Sequence, residues 1–496
     1  MSFSDPPGAS RVSVRTRQHA ASCADPLAAY LALRPMFGAS NVYLLESLSG
    51  PASDRRSASV GFRPLLEISV YRGAVRIGGE PALRDLAVAA GTDADALVAT
   101  ADGLRLPDDS ALWTFIRAVQ NRFDTGGTPQ PGLGFLAFFG YETVRYIEKL
   151  PYRIEDTDCP PDVTLVLYQG QVQFDLQDGS VRVLVHESDA WPALDPETVT
   201  AALAAAPETA PELPAVPAAR SITDSTTEEQ YVADIAKCLE HIAMGDIYQV
   251  QIGHELRIES DVDELTVYRR LRQRNASPYM CLLPIAGRTV IGSSPELFVR
   301  VEGDTITMRP IAGTTPRGAD QAENEARVAV LRADEKEIAE HVMLVDLCRN
   351  DLGRICRTDT VEVDEMMVVE DFSHVFHLVS NVTGRLEPGT DAYDVVTATF
   401  PAGTMTGAPK IRAMEIIEDT ESSRRGLYAG AFGLIDFTGE MVTALSIRTV
   451  FGDDSGAYRT RASAGVVADS VPSREWRETL AKMSATVWAV TGEELL

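Results

Sequence analysis

The sequence has few cysteines and no long apolar run, and both absences restrict the class of protein. Its six cysteines are scattered over 496 residues and none forms a C-x-x-C pair, so a disulfide framework is not expected. Reduced, buried thiols are the expected state, and they favour a cytoplasmic protein. The N-terminus lacks the basic start and apolar run of a signal peptide, and no apolar segment approaches a membrane span.

Basic residues are also scarce. The chain has 45 Lys and Arg against 72 Asp and Glu, for a formal net charge of -27. Such an acidic surface disfavours nucleic acid and anionic membrane, so neither is expected as a partner. An anionic substrate would need local help from a metal ion or from a few well-placed Arg and Lys side chains.

Several catalytic signatures are missing as well. No G-x-G-x-x-G follows a predicted strand, which argues against a nicotinamide or flavin Rossmann site. Neither a G-x-S-x-G elbow nor a Ser-His-Asp arrangement is present. Residues 403–410, GTMTGAPK, lack the spacing and the Gly-Lys-Ser/Thr ending of a Walker A loop. A helix-entry turn and an anion site both fit this segment.

What is present is a succession of strand-like runs and turns, interrupted by helices. The runs do not alternate as regular βαβ units, and this predicts an α+β protein with large antiparallel sheets. The sequence predicts hairpins within residues 66–79, 163–188 and 430–450, with turns at Arg72-Gly73, Asp178-Gly179 and Thr438-Gly439.

Changes of composition divide the chain into four parts. Residues 1–25 show no apolar period and are predicted to be a flexible tail. Residues 192–222 are dominated by alanine and proline and are interpreted as a linker. This linker separates an N-terminal region, residues 26–191, from a C-terminal region, residues 223–496.

One acidic pair lies in residues 334–355, which are predicted to be a helix. Ile338, Val342 and Val345 recur with helical period and predict its buried face. Glu337 and Glu340 are three residues apart, so they project from one side of the helix.

A second predicted helix repeats this acidic spacing near the C-terminus, where Glu475 and Glu478 accompany a stripe of Trp476, Leu480 and Met483. Each pair alone fits an ordinary solvated helix face. Together, the four carboxylates would repel each other unless a cation lay between them. Oxygen ligands favour a hard cation such as Mg²⁺.

Three further side chains are candidates for chemistry. Arg448 lies in a predicted strand of an apolar hairpin, where a structural salt bridge and a substrate carboxylate are both possible anions. His377 fits either a hydrogen-bonded core residue or a catalyst. Glu296, in GSSPE, is a candidate general acid or base.

The ordered motifs between residues 225 and 490 resemble the chorismate-utilising enzymes, which include anthranilate synthase component I, aminodeoxychorismate synthase, isochorismate synthase and salicylate synthase. The matching motifs are GDIYQVQIG, GSSPE, PIAGTTPRG, DEKEIAEH, LVDLCRNDLGRI, SHVFHLVS, FPAGTMTGAPKIRAMEI, GLYAGAFG, ALSIRTV, ASAGVVADS and the Glu475/Glu478 turn.

The resemblance implies a fold and a role for each matching residue. The implied fold has two large antiparallel β-sheets packed as a sandwich, with helices outside. Glu296 would protonate the departing 4-hydroxyl of chorismate, and His377 would assist a later elimination of pyruvate. Mg²⁺ would be held by Glu337, Glu340, Glu475 and Glu478, and chorismate by Gly313, Thr314, Thr404, Tyr428, Arg448, Ala464 and Gly465.

Two positions separate reactions within the resembled family. Relatives that use water as nucleophile carry a Lys where this chain has Gln249, and an amide cannot deprotonate water. Aminodeoxychorismate synthases often carry a nucleophilic Lys where this chain has Ala312. Direct attack of ammonia at C2 remains. It would give 2-amino-2-deoxyisochorismate and then, by loss of pyruvate, anthranilate.

The resemblance also implies partners. Ammonia would come from a separate glutamine amidotransferase subunit (component II), since this chain has no Cys in a Gly-x-Cys-x-Gly setting. A hetero-oligomer is therefore expected, with anthranilate synthase as the first reading. The alternatives are an enzyme that releases 2-amino-2-deoxyisochorismate and a silent regulatory subunit. A tryptophan feedback site is implied at Glu46, Ser47, Pro278, Tyr279 and Met280.

Overall fold

A computed structural model describes residues 11–154, 160–207, 212–372, 375–453 and 455–496. Residues 1–10 of the predicted tail, residues 208–211 of the predicted linker, and Cys159 lie outside these ranges.

Helices surround the strands and are distributed along the whole described chain. In chain order they are α1 (Pro26–Phe37), α2 (Pro81–Asp93), α3 (Ala111–Gln120), α4 (Pro196–Ala204), α5 (Glu228–Met244), α6 (Glu264–Arg274), α7 (Gln321–Ala333), α8 (Glu335–Leu352), α9 (Ala392–Thr399), α10 (Lys410–Thr420) and α11 (Pro472–Thr491).

The strands are β1 (Val12–Ser13), β2 (Arg15–Ala21), β3 (Val42–Glu46), β4 (Ser57–Tyr71), β5 (Ala74–Gly79), β6 (Val98–Thr100), β7 (Gly103–Arg105), β8 (Phe123–Asp124), β9 (Gly134–Phe139), β10 (Val163–Asp175), β11 (Val181–Glu187), β12 (Ser221–Asp224), β13 (Gln249–Glu259), β14 (Tyr279–Ile285), β15 (Arg288–Ser294), β16 (Leu297–Glu302), β17 (Thr305–Met308), β18 (Ile311–Pro316), β19 (Glu362–Asp371), β20 (Val375–Arg385), β21 (Gly407–Ala408), β22 (Ala431–Asp436), β23 (Met441–Leu445), β24 (Thr449–Asp453) and β25 (Ala457–Val466).

The predicted α+β class with extensive antiparallel pairing is confirmed. β4 pairs with β5 across Tyr71 and Ala74, and β10 pairs with β11 across the Asp178-Gly179 turn. β22 pairs with β23 around Gly439, whose φ of 103° suits glycine. The three predicted hairpins therefore form as expected.

Strands from both halves of the chain belong to one connected network. β3 pairs with β14, and β9 pairs with β22, so N-terminal strands hydrogen-bond directly to C-terminal ones. From β4, one arm continues through β3, β14, β15, β24 and β25 to β13; the other runs through β10, β9, β22, β23, β16 and β17 to β20. The largest apolar cluster contains buried residues from both arms.

The predicted tail and linker differ from the structure where they are described. β2 pairs in register with β11, from Ala21 opposite Val181 to Arg15 opposite Glu187. Helix α4 lies inside the predicted linker and buries Val199 and Leu203. β2 is held by pairing with β11, and α4 is held by packing against other parts of the chain. Neither segment therefore needs a regular apolar period of its own.

The described cysteines are free thiols. Cys238, Cys281, Cys348 and Cys356 are buried, as expected for reduced structural residues, and Cys23 is partly exposed. Among the described residues, no helix combines the length and the apolar character needed to cross a bilayer.

Candidate active site

The first acidic pair lies at the start of α8. Asp334 caps this helix by accepting hydrogen bonds from the backbone N–H groups of Lys336 (3.0 Å) and Glu337 (3.2 Å). The predicted buried face is only partly right, because Val345 is buried whereas Val342 is exposed. The helix instead packs inward through His341, Leu344, Val345, Cys348, Asp351 and Leu352. Glu337 and Glu340 remain half-buried beside this face.

The second pair lies in the first turns of α11. Trp476 stacks on the imidazole of His254 at 4.3 Å between ring centroids, and the same imidazole is 2.7 Å from the Thr479 hydroxyl. These contacts fix the helix against β13. Glu475 is therefore held in a buried position, while Glu478 is more exposed.

The two pairs lie close enough for their charges to interact, and we call the space between them the acidic cleft. Burial raises the pKa of Glu337 and of Glu340, and the negative charge of Glu478 raises both further. Burial likewise raises the pKa of Glu475. Lys336 lies between the pairs: its Nζ is 3.5 Å from Glu340 Oε1, and the charges of Glu340 and Glu475 raise its pKa against the effect of burial.

The carboxylates of this acidic cleft fit a hard cation. Glu340 Oε1 is buried and, apart from the 3.5 Å ion pair with Lys336, has no partner among the described residues, so it is a candidate ligand. In the described part of the chain, however, no group of three or more His, Cys, Asp or Glu side chains is close enough to hold a metal ion as placed. The donor set suits Mg²⁺, and the ligand assignment stays a prediction.

Glu296 occupies the bend between β15 and β16. Burial raises the pKa of its carboxyl to about 8, although the nearby Thr404 hydroxyl and the Ile311 amide oppose the shift. The Glu296 backbone N–H donates to Ser294 Oγ over 3.4 Å, which contributes to the bend. A carboxyl group with this pKa is largely protonated at neutral pH and can donate a proton.

His377 and the predicted ring-lining residues lie on two paired strands. Thr314 in β18 is opposite His377 in β20, and the Thr314 hydroxyl is 2.9 Å from His377 Nδ1. Burial, with a contribution from Arg448, lowers the pKa of His377 to about 4, so the ring is neutral at pH 7. Gly313 has a φ of 82°, and a Cβ there would lie 3.3 Å from Glu337 Oε2. β18 therefore borders the acidic cleft.

Arg448 was predicted to lie within a strand, and this prediction is wrong. It lies in the connection between β23 and β24 with a φ of 52°, a left-handed conformation that is uncommon for a non-glycine residue. Its Nη1 donates to the backbone carbonyl of Lys482 over 2.8 Å. Burial lowers the pKa of Arg448, and Tyr428 and Glu478 oppose this, so the guanidinium lies near both groups.

Gln249 and the small-residue strand form one wall. β13 and β25 pair with Ile252 opposite Ala464 and Gln251 opposite Gly465. A Cβ on Gly465 would lie only 3.0 Å from Gln249 Nε2, so this glycine leaves room for the amide. Gln249 Oε1 is buried and accepts no hydrogen bond from the described residues.

Thr404 and Tyr428 complete the predicted set. Thr404 lies in the short turn Gly403–Met405. This turn packs so closely on Leu347 of α8 that a Cβ on Gly403 would lie only 2.8 Å from that side chain. The Thr404 hydroxyl is buried near Glu296, but it has no hydrogen bond of good geometry to any described group. Tyr428 is buried close to Arg448. The residues predicted for catalysis and substrate thus lie on neighbouring elements beside the two glutamate pairs, and their roles stay predictions.

A buried ion cluster supports this turn, and the sequence analysis missed it. The Glu421 carboxylate accepts from Arg425 Nη2 (2.9 Å) and Arg461 Nη2 (2.6 Å). Arg425 also donates to the carbonyls of Met405 (2.6 Å) and Gln251 (2.8 Å), which ties the Thr404 turn to β13. The i, i+4 spacing of Glu421 and Arg425 was a visible signal, although it is shared by many exposed helix pairs.

The residues predicted for tryptophan feedback surround a different pocket. Glu46, Pro278, Tyr279 and Met280 line it together with apolar side chains such as Phe432. The Ser47 side chain instead donates to the Asp54 carbonyl over 3.4 Å.

The Glu46 carboxylate in this pocket is already paired. Arg272 reaches both of its oxygens at 2.9 Å, and the Tyr268 hydroxyl donates to Oε2. The ammonium group of a bound tryptophan would therefore compete with Arg272 for the Glu46 carboxylate.

The fold and the cleft define an α+β enzyme whose site combines a protonated carboxyl group, an uncharged imidazole and paired carboxylates. The chain belongs to the chorismate-binding enzymes: the family model described as "chorismate binding enzyme" matches residues 79–487.

Individual relatives agree with this assignment. The chain is 56% identical over 489 residues to a 2-amino-4-deoxychorismate synthase of Streptomyces globisporus, covering 98% of each chain. It is 38% identical over 509 residues to anthranilate synthase component 1 of Mycobacterium tuberculosis, covering 98% of this chain and 94% of the relative. The crystal structure of anthranilate synthase component I from Streptococcus pneumoniae superposes with a TM-score of 0.69 at 30% identity, covering 87% of this chain and 92% of that one.

Proposed function

We propose that the protein joins ammonia to carbon 2 of chorismate and releases 2-amino-2-deoxyisochorismate without eliminating pyruvate. The observation that carries this proposal is the 56% identity to a 2-amino-4-deoxychorismate synthase, against 38% to an anthranilate synthase. That relative's name describes a chorismate skeleton with an amino group at carbon 2 and no 4-hydroxyl. The same atoms result from ammonia attack with loss of the 4-hydroxyl.

The choice of nucleophile rests on two side chains. Gln249 is a neutral amide that cannot act as a base toward water, and Ala312 offers no nucleophilic atom. The unpartnered Gln249 Oε1 can accept a hydrogen bond from ammonia, which would orient the nitrogen lone pair toward the ring.

The leaving group needs a proton, and Glu296 can supply it. With a pKa near 8, this carboxyl is protonated at neutral pH before substrate arrives. In the proposed step the nitrogen–carbon 2 bond forms, the ring double bonds shift and the carbon 4–oxygen bond breaks. The Glu296 proton leaves with that oxygen as water, and the new ammonium group then loses a proton.

Glu337, Glu340, Glu475 and Glu478 would hold Mg²⁺, which when bound would neutralise the ring carboxylate of chorismate. Arg448 would pair with a substrate carboxylate through its guanidinium group. Tyr428 and Glu478 both act on the pKa of this group. Lys336 lies where cation binding would displace it. Its ion pair with Glu340 would then be exchanged for the metal ligand bond.

Anthranilate synthase is the second candidate. The neutral imidazole of His377 favours it, because such a group can remove the carbon 2 proton during elimination of pyruvate. The residues alone favour this reading, whereas the 56% identity to the 2-amino-4-deoxychorismate synthase supports the first candidate.

Product identification distinguishes the two reactions. Purified protein is incubated with chorismate, Mg²⁺ and excess ammonium at a pH no higher than the Glu296 pKa of about 8. Products are identified by mass while pyruvate is measured enzymatically. We expect chorismate to be consumed and the amino-isochorismate mass to appear without pyruvate. Anthranilate with stoichiometric pyruvate would establish the second candidate, and chorismate left intact would refute both.

The proposal includes a separate glutamine amidotransferase subunit as the source of ammonia. Free ammonia at neutral pH is mostly protonated to ammonium, which is not a nucleophile. A tryptophan site at the Glu46 pocket also remains a proposal. Measuring the reaction rate with and without tryptophan tests it, and an unchanged rate would argue that the pocket does not serve this ligand.

A further inference from the structure

One face of the wall that carries Gln249 combines polar side chains with glycines. Side chains alternate along a strand, so Gln249, Gln251 and Gly253 of β13 share one face. In β25, Gly465 lies opposite Gln251 and Ser463 lies opposite Gly253, which places both on the same face. We call these five positions the polar face, and none of their side chains is charged.

The other face of β13 is apolar. Val250 and Ile252 are buried there in a cluster against which Trp476 of α11 packs. The strand itself is fixed by its backbone, because the Gln251 N–H donates to the Thr406 carbonyl over 2.8 Å. The polar face therefore points away from this apolar cluster, on a strand that holds its position.

The amide groups of the two glutamines converge on one glycine. A Cβ on Gly465 would lie 3.0 Å from Gln249 Nε2 and 3.0 Å from Gln251 Nε2. Both amide nitrogens therefore lie beside the backbone of Gly465, where there is no side chain between them. An amide nitrogen has two N–H donors and no acceptor, so this pair suits an oxygen-rich, anionic group.

Two further atoms of the polar face indicate a ligand. Gln249 Oε1 and the Ser463 hydroxyl are buried and have no hydrogen-bond partner among the described residues. Ser463 is only 2% exposed, and its Oγ lies 2.3 Å from where a Cβ on Gly253 would be. Since buried polar atoms in folded proteins are nearly always paired, a polar ligand is expected to complete this face.

The polar face adjoins the acidic cleft. Lys482 Nζ donates to the backbone carbonyl of Ser463 over 2.8 Å and is 2.6 Å from Glu478 Oε1. The carbonyl of Lys482 in turn accepts from Arg448 Nη1 over 2.8 Å. A molecule bound at the metal side of the cleft would thus have the two amides within its surroundings.

We propose that Gln251 is a specificity-determining residue whose amide N–H₂ group, together with that of Gln249, donates to the enolpyruvyl carboxylate of chorismate beside Gly465. This inference rests on the proposed function. Mg²⁺ would hold the ring carboxylate, so the enolpyruvyl carboxylate is the second anionic group that needs donors. Hydrogen bonds from N–H groups to a carboxylate are charge-assisted and therefore strong. Gln249 Oε1 stays available to ammonia.

The test changes the Gln251 side chain and leaves the predicted Mg²⁺ ligands intact. Gln251→Leu removes the donors at similar size, and Gln251→Glu replaces them with a negative charge. Gln173 of β10 is likewise a half-buried strand glutamine, so Gln173→Leu is the matched control. Chorismate binding is measured by calorimetry with Mg²⁺ and without ammonium, so that the proposed reaction cannot proceed.

We expect Gln251→Leu to weaken chorismate binding about tenfold, because a hydrogen bond to a charged group is lost. Gln251→Glu should weaken it further, and Gln173→Leu should stay within twofold of wild type. Each loss should be the same at limiting and at saturating Mg²⁺, because the metal and the amides hold different carboxylates. With ammonium present, KM for chorismate should rise by the same factor while kcat stays within threefold of wild type.

Three results would overturn the proposal: Gln251 variants that bind chorismate like Gln173→Leu, a loss that disappears at saturating Mg²⁺, or a kcat that falls while KM is unchanged. Gln251→Leu decides the test if the added charge of Gln251→Glu prevents folding. Wild type that binds chorismate but releases no amino product with ammonium would instead refute the proposed function. The binding comparison does not depend on turnover, so it still tests Gln251.

Discussion

Glu296 and Glu421 are the same residue type at almost the same exposure, 7% and 6%, yet their pKa values shift in opposite directions. Burial raises the pKa of Glu296 to about 8, where Thr404 and the Ile311 amide are its main compensating neighbours. Burial alone would also raise the pKa of Glu421, but Arg425 and Arg461 hold it below its usual value.

The difference separates chemistry from support. A buried carboxylate whose oxygens are met by arginines is fixed in charge and position, and it stabilises the elements that it joins. A buried carboxyl without a cationic partner keeps a proton that it can transfer. Glu340 lies between the two cases: burial raises its pKa, whereas Lys336, whose Nζ is 3.5 Å from Glu340 Oε1, opposes the shift.

The largest effect is expected at Glu296. Replacing it with Gln keeps the shape and removes the transferable proton, so chorismate consumption should fall by about 10²–10⁴-fold. The wild-type rate, measured at a constant concentration of neutral ammonia, should decline as pH rises through about 8, and the variant should lack this decline. A variant with wild-type rate would remove Glu296 from the reaction.

The stability of Glu296→Gln adds a signed check on the same pKa. The folded wild type binds the Glu296 proton more tightly than the unfolded chain does, whose pKa is near 4.5. Its free energy of unfolding should therefore decrease between pH 4.5 and pH 8 relative to the variant. A difference in free energy of unfolding that does not change with pH over this range would show that Glu296 is ionised in the native protein.

At Glu421 the expected loss is in stability. Glu421→Gln leaves the buried Arg425 and Arg461 without their anion, which should lower the free energy of unfolding by about 3–5 kcal/mol. Because the pKa of Glu421 is lowered in the folded state, its contribution is present above pH 4.5 and is lost as pH falls further. An unchanged urea midpoint at pH 7 would contradict the supporting role.

An intermediate effect is expected at Glu340. Glu340→Gln removes one charge from the acidic cleft, so turnover at limiting Mg²⁺ should drop by about 10–100-fold and recover partly as Mg²⁺ is raised. The fold should survive, because Gln keeps the shape of the side chain and the ion pair that is lost, with Lys336, is partly exposed to solvent. Normal turnover at low Mg²⁺ would show that the ligand assignment is wrong.

The smallest effect is expected at an exposed pair used as a control. Arg274 and Glu494 form a bidentate ion pair at 2.6 and 2.9 Å in which both side chains reach solvent. Glu494→Gln should change the free energy of unfolding by no more than about 1 kcal/mol, and it leaves Arg274 stacked on Trp488. A loss as large as that of Glu421→Gln would mean that charge pairing matters regardless of burial, and the comparison would fail.

Much of the fold could be predicted from short-range patterns. The turns at Gly73, Gly179 and Gly439, the helical spacing of the two glutamate pairs and the order of motifs are all local properties of the chain. They were sufficient to predict the antiparallel α+β class and the family. Local patterns could not predict that Arg15–Ala21 pairs with β11, or that Arg448 adopts a left-handed conformation outside a strand.

The order of amino acids specifies which carboxylates the protein has and which of them share a helix face. Which of them meet a cation depends on how the chain folds. Arg461 reaches Glu421 from 40 positions away, and Glu475 of α11 acts on the charge of Lys336 in the distant helix α8. The physical reason is that the pKa of a carboxyl group depends on burial and on neighbouring charges in space, and spacing along the chain encodes neither.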